Sequence, residues 1–491
     1  MRLRMLIPVL TVCLLALGCS NDDTASPAET GGPSSTTSTT TTTVPLDPKP
    51  GSPGVDGEAL LPNAGNGGYD VSHYTLAIAV SDDRSSIEAT ATIAAVATQD
   101  LSTFNLDLAG LDVASVNVDD EPAGFSRNGD ELTVTPEEAL ATDAEFVTRV
   151  EYSGAPQPVQ DPSAPGTIGW LSAPSGIYVA SEPIGAKGWF PGNDHPSDKA
   201  RFTFEITAKN ADTVVANGVL TSKEPAGEGR TTWTFEQSDE MATYLAQVAV
   251  GDYDLIESTG PNGLPIRHAV VRNVPADKRE VLDLTAAQIE YFEPLFGPFP
   301  LDAYGLLVAD AGPEFALETQ TLTLLPASWL LNSDAEFTGM VMAHELAHQW
   351  FGDAVTPARW TDIWLNEGFA TYAEWMWEDH AGVTPLDESV TDAMGQAGRW
   401  REAFGPVASP AAPLLFSPNS YEGAGIVLHA LRKTIGDEHF FEVLQRWASE
   451  NDGESVTTEQ FETLAADVSG QDLTAFFAAW IHSDTLPVMP A

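Results

Sequence analysis

Between residues 69 and 254 apolar and polar positions alternate. "HYTLAIAV" does so, and so do "RFTFEIT", with Phe202, Phe204 and Ile206 in step, and "TTWTFE". Successive side chains of a strand point to opposite faces, so a period of two predicts half-buried β-strands. Gly, Pro and Asn-Gly breaks separate these runs, and no long amphipathic helix interrupts them. From about Asp277 the period changes to that of helices. "DKREVLDLTAAQIEYFEPLFG", a run from Ser333 to Phe351, and "LNEGFATYAEWMWEDHAG" carry it first. "EGAGIVLHALRKTIG", "DEHFFEVLQRWASE", "TTEQFETLAADVSG" and "DLTAFFAAWIHS" continue it. The pattern predicts a multidomain chain, with an N-terminal all-β domain over 68–256 and a mostly α domain over 257–491. A short sheet near "YGLLVAD" and "TLTLL" is expected to open the second. No internal repeat is evident.

Composition sharpens this outline. The 491 residues, 43% of them hydrophobic, suffice for two or three cored domains. Asp+Glu number 71 against 22 Lys+Arg, a formal net charge of −49. That balance argues against nucleic acid or an anionic membrane surface as the main partner, and it favours cationic ligands.

The N-terminus departs from the globular pattern. "MRLRMLIPVLTVCLLALGC" has Arg2 and Arg4, an apolar stretch over 5–17, then Gly18 and Cys19. The apolar stretch is too short for a comfortable membrane span. Residues 1–19 resemble a bacterial lipoprotein signal peptide, in which a lipidated cysteine becomes the first mature residue. Ala16 stands where leucine is usual. Cys13 falls in the removed segment, so Cys19 is the only mature cysteine and no intrachain disulfide can form. Lipid attachment is then its natural use. Residues 20–67, including "SSTTSTTTTTV", are too poor in apolar side chains to fold, and read as a disordered Ser/Thr/Pro-rich tether. The expectation is an exported protein, held to the membrane by its lipid and facing the extracellular or periplasmic side.

Candidate chemistry sits in "MVMAHELAHQWFG". Positions i and i+4 share one helical face, so His344 and His348 can present two ring nitrogens to one ion. Glu345 stands beside that point, where a general base is wanted. Ser333 and Glu336 are expected to form a capping box at the helix start, and Gly352 to mark its stop. Eighteen residues separate His348 from Glu367, in "WLNEGFATYAEW". A second helix returning against the first brings Glu367 in as third ligand. Two His and one Glu leave a fourth tetrahedral position open, as in catalytic zinc sites.

This spacing is that of gluzincin metallopeptidases, and several further stretches resemble the aminopeptidase N family. "GYDVSHYTLAIAV" resembles the opening strand of its β domain. "WFPGNDHPSDKARFTFEI" resembles its "FPCFDEPxxKAxF" segment, with Gly192, Asn193 and His195 departing from the pattern. "MATYLAQVAVGDYD" resembles the strand closing that domain, and "DLTAFFAAWIHSDTLP" the end of the catalytic domain. The resemblance implies a thermolysin-like catalytic domain, one zinc ion per chain, and peptide substrates with a free N-terminus. It also implies that the large C-terminal helical domain of many members is missing.

The same resemblance assigns roles. Glu345 takes the proton of the attacking water, and Tyr421, in "SYEGAGIVLHALR", donates to the oxyanion. Gly423, Ala424 and Gly425 replace the usual Lys-Gly-Ala. Glu318, in "EFALETQT", falls where the family holds the glutamate that binds the substrate amine, with Phe315 and Thr319 departing from Gly-Ala-Met-Glu-Asn. Glu182, in "ASEPIGAKGWFPGND", matches a second carboxylate on the same amine. Asp362, Asn366 and Glu374 are candidates to orient the ligands, and the aromatics of "WLLNS", "WTDIW" and "AEWMW" are expected in the core. Three functions stay open at this stage: an aminopeptidase, a catalytically silent peptide-binding protein, and an endopeptidase or lipid-epoxide hydrolase. Retention of all three ligands and the base favours an enzyme. Glu318 favours the first.

Overall fold

The computed structural model describes residues 46–164, 166–310, 315–410 and 414–490. The signal peptide, Cys19 and residues 20–45 of the expected tether lie outside the described residues.

The alternating runs form the strands they predict. In chain order these are β1 (Tyr69–Val80), β2 (Ile87–Ala97), β3 (Asp112–Val118) and β4 (Glu145–Gly154), then β5 (Lys199–Lys209), β6 (Val219–Gly227) and β7 (Arg230–Ala242). They make one sheet in the order β6-β7-β5-β1-β2-β4-β3, with the short strand Glu121–Pro122 at its edge. β1 runs antiparallel to β2, from Tyr69 opposite Ala97 to Val80 opposite Ile87. It runs parallel to β5, with Phe202 beside Tyr74 and Phe204 beside Leu76. Those four side chains are buried on one face. Removing such side chains from water stabilises the fold by roughly 1.5–3 kcal/mol each.

A second sheet starts the catalytic region, in the order β8 (Tyr253–Thr259), β9 (Pro265–Val271), β10 (Leu306–Ala309) and β11 (Thr323–Pro326). The last two are the expected "YGLLVAD" and "TLTLL" strands. The boundary expected at 256/257 falls inside β8, whose partner is β9, so the strand goes with the catalytic sheet. Helices follow: α1 (Leu284–Phe296), α2 (Ala335–His348), α3 (Trp364–Ala381), α4 (Leu386–Phe404), α5 (Glu422–Ile435), α6 (Asp437–Glu450) and α7 (Thr458–Ser469). Periodicity did not single out α4. Its buried face is Val390, Ala393, Ala397 and Arg401, small or charged residues that leave little apolar signal.

Residues 46–67 differ from the expected tether. Lys49–Pro50 pairs parallel to Leu101–Asp107, and Ala64, Glu58 and Asn66 are buried. Composition marks this segment as unable to make a core of its own. It needs none, because it borrows the sheet's surface: the Gly51 amide donates to Thr103 O at 2.8 Å and the Asn66 amide to Asn193 Oδ1 at 2.6 Å. This N-terminal strap lies against the loop before β5.

Two apolar clusters fill the molecule, one under the large sheet and one among the helices. Trp360, Ile363 and Leu415 come from the helical part yet belong to the cluster of the large sheet, and Tyr244 packs against Trp360 with ring centroids 5.3 Å apart. Lys199 of β5 reaches the other way, donating to Asp353 O at 2.9 Å and Ala354 O at 2.8 Å.

Candidate metal centre

α2 begins at Asp334, whose side chain accepts the Phe337 amide at 2.9 Å. The cap is therefore Asp334, one residue after the expected Ser333, because Asp is as good an acceptor there. Met342, Ala343, Leu346 and Ala347 bury the helix, and the i, i+4 spacing sets the His344 and His348 rings 4.8 Å apart. Gly352 turns the chain out of the helix at φ +133°. A Cβ at Gly352 would lie 2.0 Å from Asn366 Oδ1, so only glycine admits the returning α3. Further along, Gly368 lets α5 cross closely; a Cβ there would meet Ala424 Cβ at 2.4 Å.

These approaches deliver Glu367. Its Oε2 lies 3.4 Å from His344 Nε2 and 3.5 Å from His348 Nε2. A tetrahedral ion with bonds of roughly 2.0–2.1 Å has ligand–ligand edges of about 3.3–3.4 Å. The buried Glu367 Oε2 has no hydrogen-bond partner, an unsatisfied position that a cation fills. The outer ring nitrogens are tied down: His344 Nδ1 lies 3.1 Å from Glu374 Oε2, and His348 Nδ1 lies 3.2 Å from Phe351 O. Both contacts are to acceptors, which places the proton on Nδ1 and turns the Nε2 lone pairs inward. His344, His348 and Glu367 thus fit zinc by donor type and by spacing.

This arrangement sits on a fold with solved relatives. An M1 zinc metallopeptidase from Deinococcus radiodurans, solved as a mutant bound to a Tyr-Ser-Ala substrate, superposes with TM-score 0.79 at 30% identity, covering 89% of this chain and 99% of that one. The chain belongs to the M1 peptidase family. Its N-terminal domain model matches residues 70–245 and its peptidase domain model matches 280–480, so the fold is the two-domain M1 fold and zinc is its metal. Among curated relatives, "Probable aminopeptidase 2" of Sulfurisphaera tokodaii is 27% identical over 79% of this chain and 51% of that protein. Aminopeptidase N of Streptomyces lividans is 27% identical over 64% of this chain and 38% of that protein. The chain spans about half or less of the length of these curated relatives.

In this M1 peptidase a cavity of about 280 Å³ opens over the three ligands. Glu345, Glu318, Glu182 and Tyr421 all line it. Burial pushes the Glu345 carboxyl up to about 8, against the pull of His344 and His348, and its Oε2 has no partner. Glu318 and Glu182 are buried, and burial raises both. Glu318 Oε1 accepts from Asn366 Nδ2 at 3.0 Å, while Glu182 Oε1 is unpartnered. Gln349, next to His348, donates to Glu318 O at 2.9 Å and accepts the Thr321 amide at 2.8 Å, fixing the "ALET" loop to the end of α2. The Tyr421 ring stacks at 6.1 Å on His344. Burial, then the charge of Glu367, raises its phenol well above the usual value, so it keeps its proton.

Of the three flanking candidates, Glu374 touches His344 and Asn366 touches Glu318. Asp362 instead accepts from Thr458 Oγ1 and Arg359 Nε, away from the ligands. The apolar wall was not found from sequence. Phe416 and Val341 line the cavity, and so does Trp329 of "WLLNS", which the sequence assigned to the core. Trp360, Trp364, Trp375 and Trp377 are core, as expected. Phe416 lies in an irregular loop, where no periodicity marks it.

The metal-free site carries a testable pH dependence. In stripped protein, burial pushes the Glu345 carboxyl from its ordinary 4.5 up to about 8. Between those values the fold holds a proton that the unfolded chain has released, so this group's stabilising contribution falls as pH rises. Zinc relieves that loss, and its binding releases protons, so it is favoured at higher pH. Stripped protein should take up about one zinc per chain, and the rise in Tm on adding zinc should grow between about pH 5.5 and 8. Calorimetry showing a flat or shrinking increment contradicts the assignment of these groups.

Proposed function

We propose that this protein is a zinc-dependent aminopeptidase, exported and lipid-anchored through Cys19, that hydrolyses the N-terminal bond of peptides. One observation carries the reading: a catalytic-type ligand triad and two further buried carboxylates share a single cavity. His344, His348 and Glu367 hold the metal. When bound, zinc supplies Lewis acidity that brings the pKa of a water from 15.7 to about 7.

The chain's own residues do the rest. Glu345 accepts the proton of the attacking water on its unpartnered oxygen and passes it to the departing amine. Tyr421 directs its phenol O–H at the oxygen that becomes negative, a donor already oriented before reaction. Glu318 and Glu182 face the α-ammonium, where two anions in a partly dehydrated cleft make strong charge-assisted hydrogen bonds. The aminopeptidase names of the relatives and the tripeptide in the Deinococcus structure point the same way.

Aminoacyl-fluorophore amides test this directly. They should be cleaved, silenced by chelation and restored by zinc; a protein that holds zinc but cleaves none is not an aminopeptidase. Cys19→Ser should move the protein from the membrane to the soluble fraction. Among the described residues no helix is long and apolar enough to cross a membrane, so an undiminished membrane fraction in that variant overturns the lipid anchor.

A further inference from the structure

Glu58 lies in the N-terminal strap, 302 residues before Trp360, and yet its Oε2 accepts the Trp360 backbone amide at 3.0 Å. The same carboxylate accepts the Leu60 amide at 2.6 Å and the Leu61 amide at 3.1 Å, and its Oε2 stands 3.4 Å from His195 Nε2. Every neighbour is a donor, and together they outweigh burial and pull the group down to about 2. It is therefore a fixed anion at physiological pH. His195 is one of the positions where "FPGNDHP" departs from the family's segment. It is braced by Ser197 Oγ at 2.8 Å and backed by Gly65, where a Cβ would meet His195 Cβ at 2.4 Å.

Trp360 opens the short turn Trp360–Asp362 that leads into α3. The Asn366 and Glu367 amides both donate to Ile363 O at 3.0 Å, so the first turn of α3 is continuous with the Trp360 turn. The other end of the same connection, at Asp353 and Ala354, is held by Lys199. The eighteen-residue spacing between His348 and Glu367 thus has both ends fastened to the N-terminal half. At its far end Glu58 is the charged contact.

We propose that Glu58 is a positioning residue for the metal ligand Glu367, fixing through the Trp360 amide where α3 begins and so how tightly zinc is held. This rests on the reading of His344, His348 and Glu367 as the ligands. Partners one shell out from a metal typically change its affinity by about 10–100-fold, and Glu58, one step more distant, belongs at the lower end.

The experiment uses the full chain and zinc alone, measuring affinity by competition with a chromophoric chelator, together with the absorption spectrum of the cobalt-substituted protein. Glu58→Ala should weaken zinc about 10-fold and change the cobalt spectrum. Glu58→Gln keeps the volume but offers one acceptor where two are used, and should give a smaller shift in the same direction. It decides the matter if the alanine variant fails to fold. Asn66→Ala, which loosens the strap by removing its bond to Asp107, should lower Tm without weakening zinc. Glu58 variants that hold zinc within about twofold of wild type, or an Asn66→Ala variant that loses as much affinity, overturn the proposal. Glu367→Ala separates the underlying reading: if it binds zinc like wild type, the ligand assignment itself is wrong.

Discussion

Glu345→Gln is expected to keep its zinc and to lose turnover by about 10²–10⁴-fold, the range a positioned general base contributes. The amide is nearly isosteric and leaves His344, His348 and Glu367 untouched, so metal content should not change. What disappears is a buried, unpartnered acceptor whose affinity for a proton burial has raised to about 8. An amide oxygen cannot take that proton. Tyr421→Phe should lower kcat by about 10²–10³ with little change in KM, since its donor acts on charge that exists only in the transition state. Steady-state kinetics on metal-replete protein check both. Near-normal turnover in either variant makes that residue structural.

Glu318→Ala should abolish most cleavage of free-amine substrates while zinc stays bound. Removing one partner of a desolvated charge pair costs about 2–5 kcal/mol, much of it the penalty on the charge left behind. Glu318 meets that description, being buried with Asn366 Nδ2 donating to it at 3.0 Å. Glu182→Ala should act in the same direction more mildly, because Glu318 remains to meet the ammonium. Wild-type protein should leave N-acetylated peptides uncut, for these offer the two carboxylates no counter-charge. Equal rates on acetylated and free peptides would make the enzyme an endopeptidase and remove the amine-binding role from both residues.

The ligands were legible in the sequence because their chemistry is local: i, i+4 is a covalent property of one helix. The step to Glu367 needs only one reversal of the chain. The large sheet was legible for a similar reason, since half-burial writes a period of two into every strand. What escaped depends on surfaces that the chain supplies to itself from afar. α4 buries alanines and so has little hydrophobic contrast. The strap looks unfoldable by composition because its hydrogen-bond partners lie near residues 103 and 193. Trp329 reads as core by type, and its place on the cavity wall follows only from how the short helix Ala327–Asn332 packs. Glu58 carries no motif, and the partners that give it its role are 137 and 302 residues away.

Trp360, Ile363 and Leu415 bury themselves in the other half's apolar cluster, and Lys199 crosses in return. The two halves are therefore two domains by topology and one by cohesion. A fragment cut between the two family matches would expose the Trp360 indole and the Ile363 and Leu415 side chains on one piece and an open socket on the other. Expression of 253–491 alone, which keeps β8 whole, should give an aggregating species rather than a minimal peptidase. In chain order the strands of the socket precede Trp360, Ile363 and Leu415, so the N-terminal half supplies a surface that the catalytic half can only close by folding onto it.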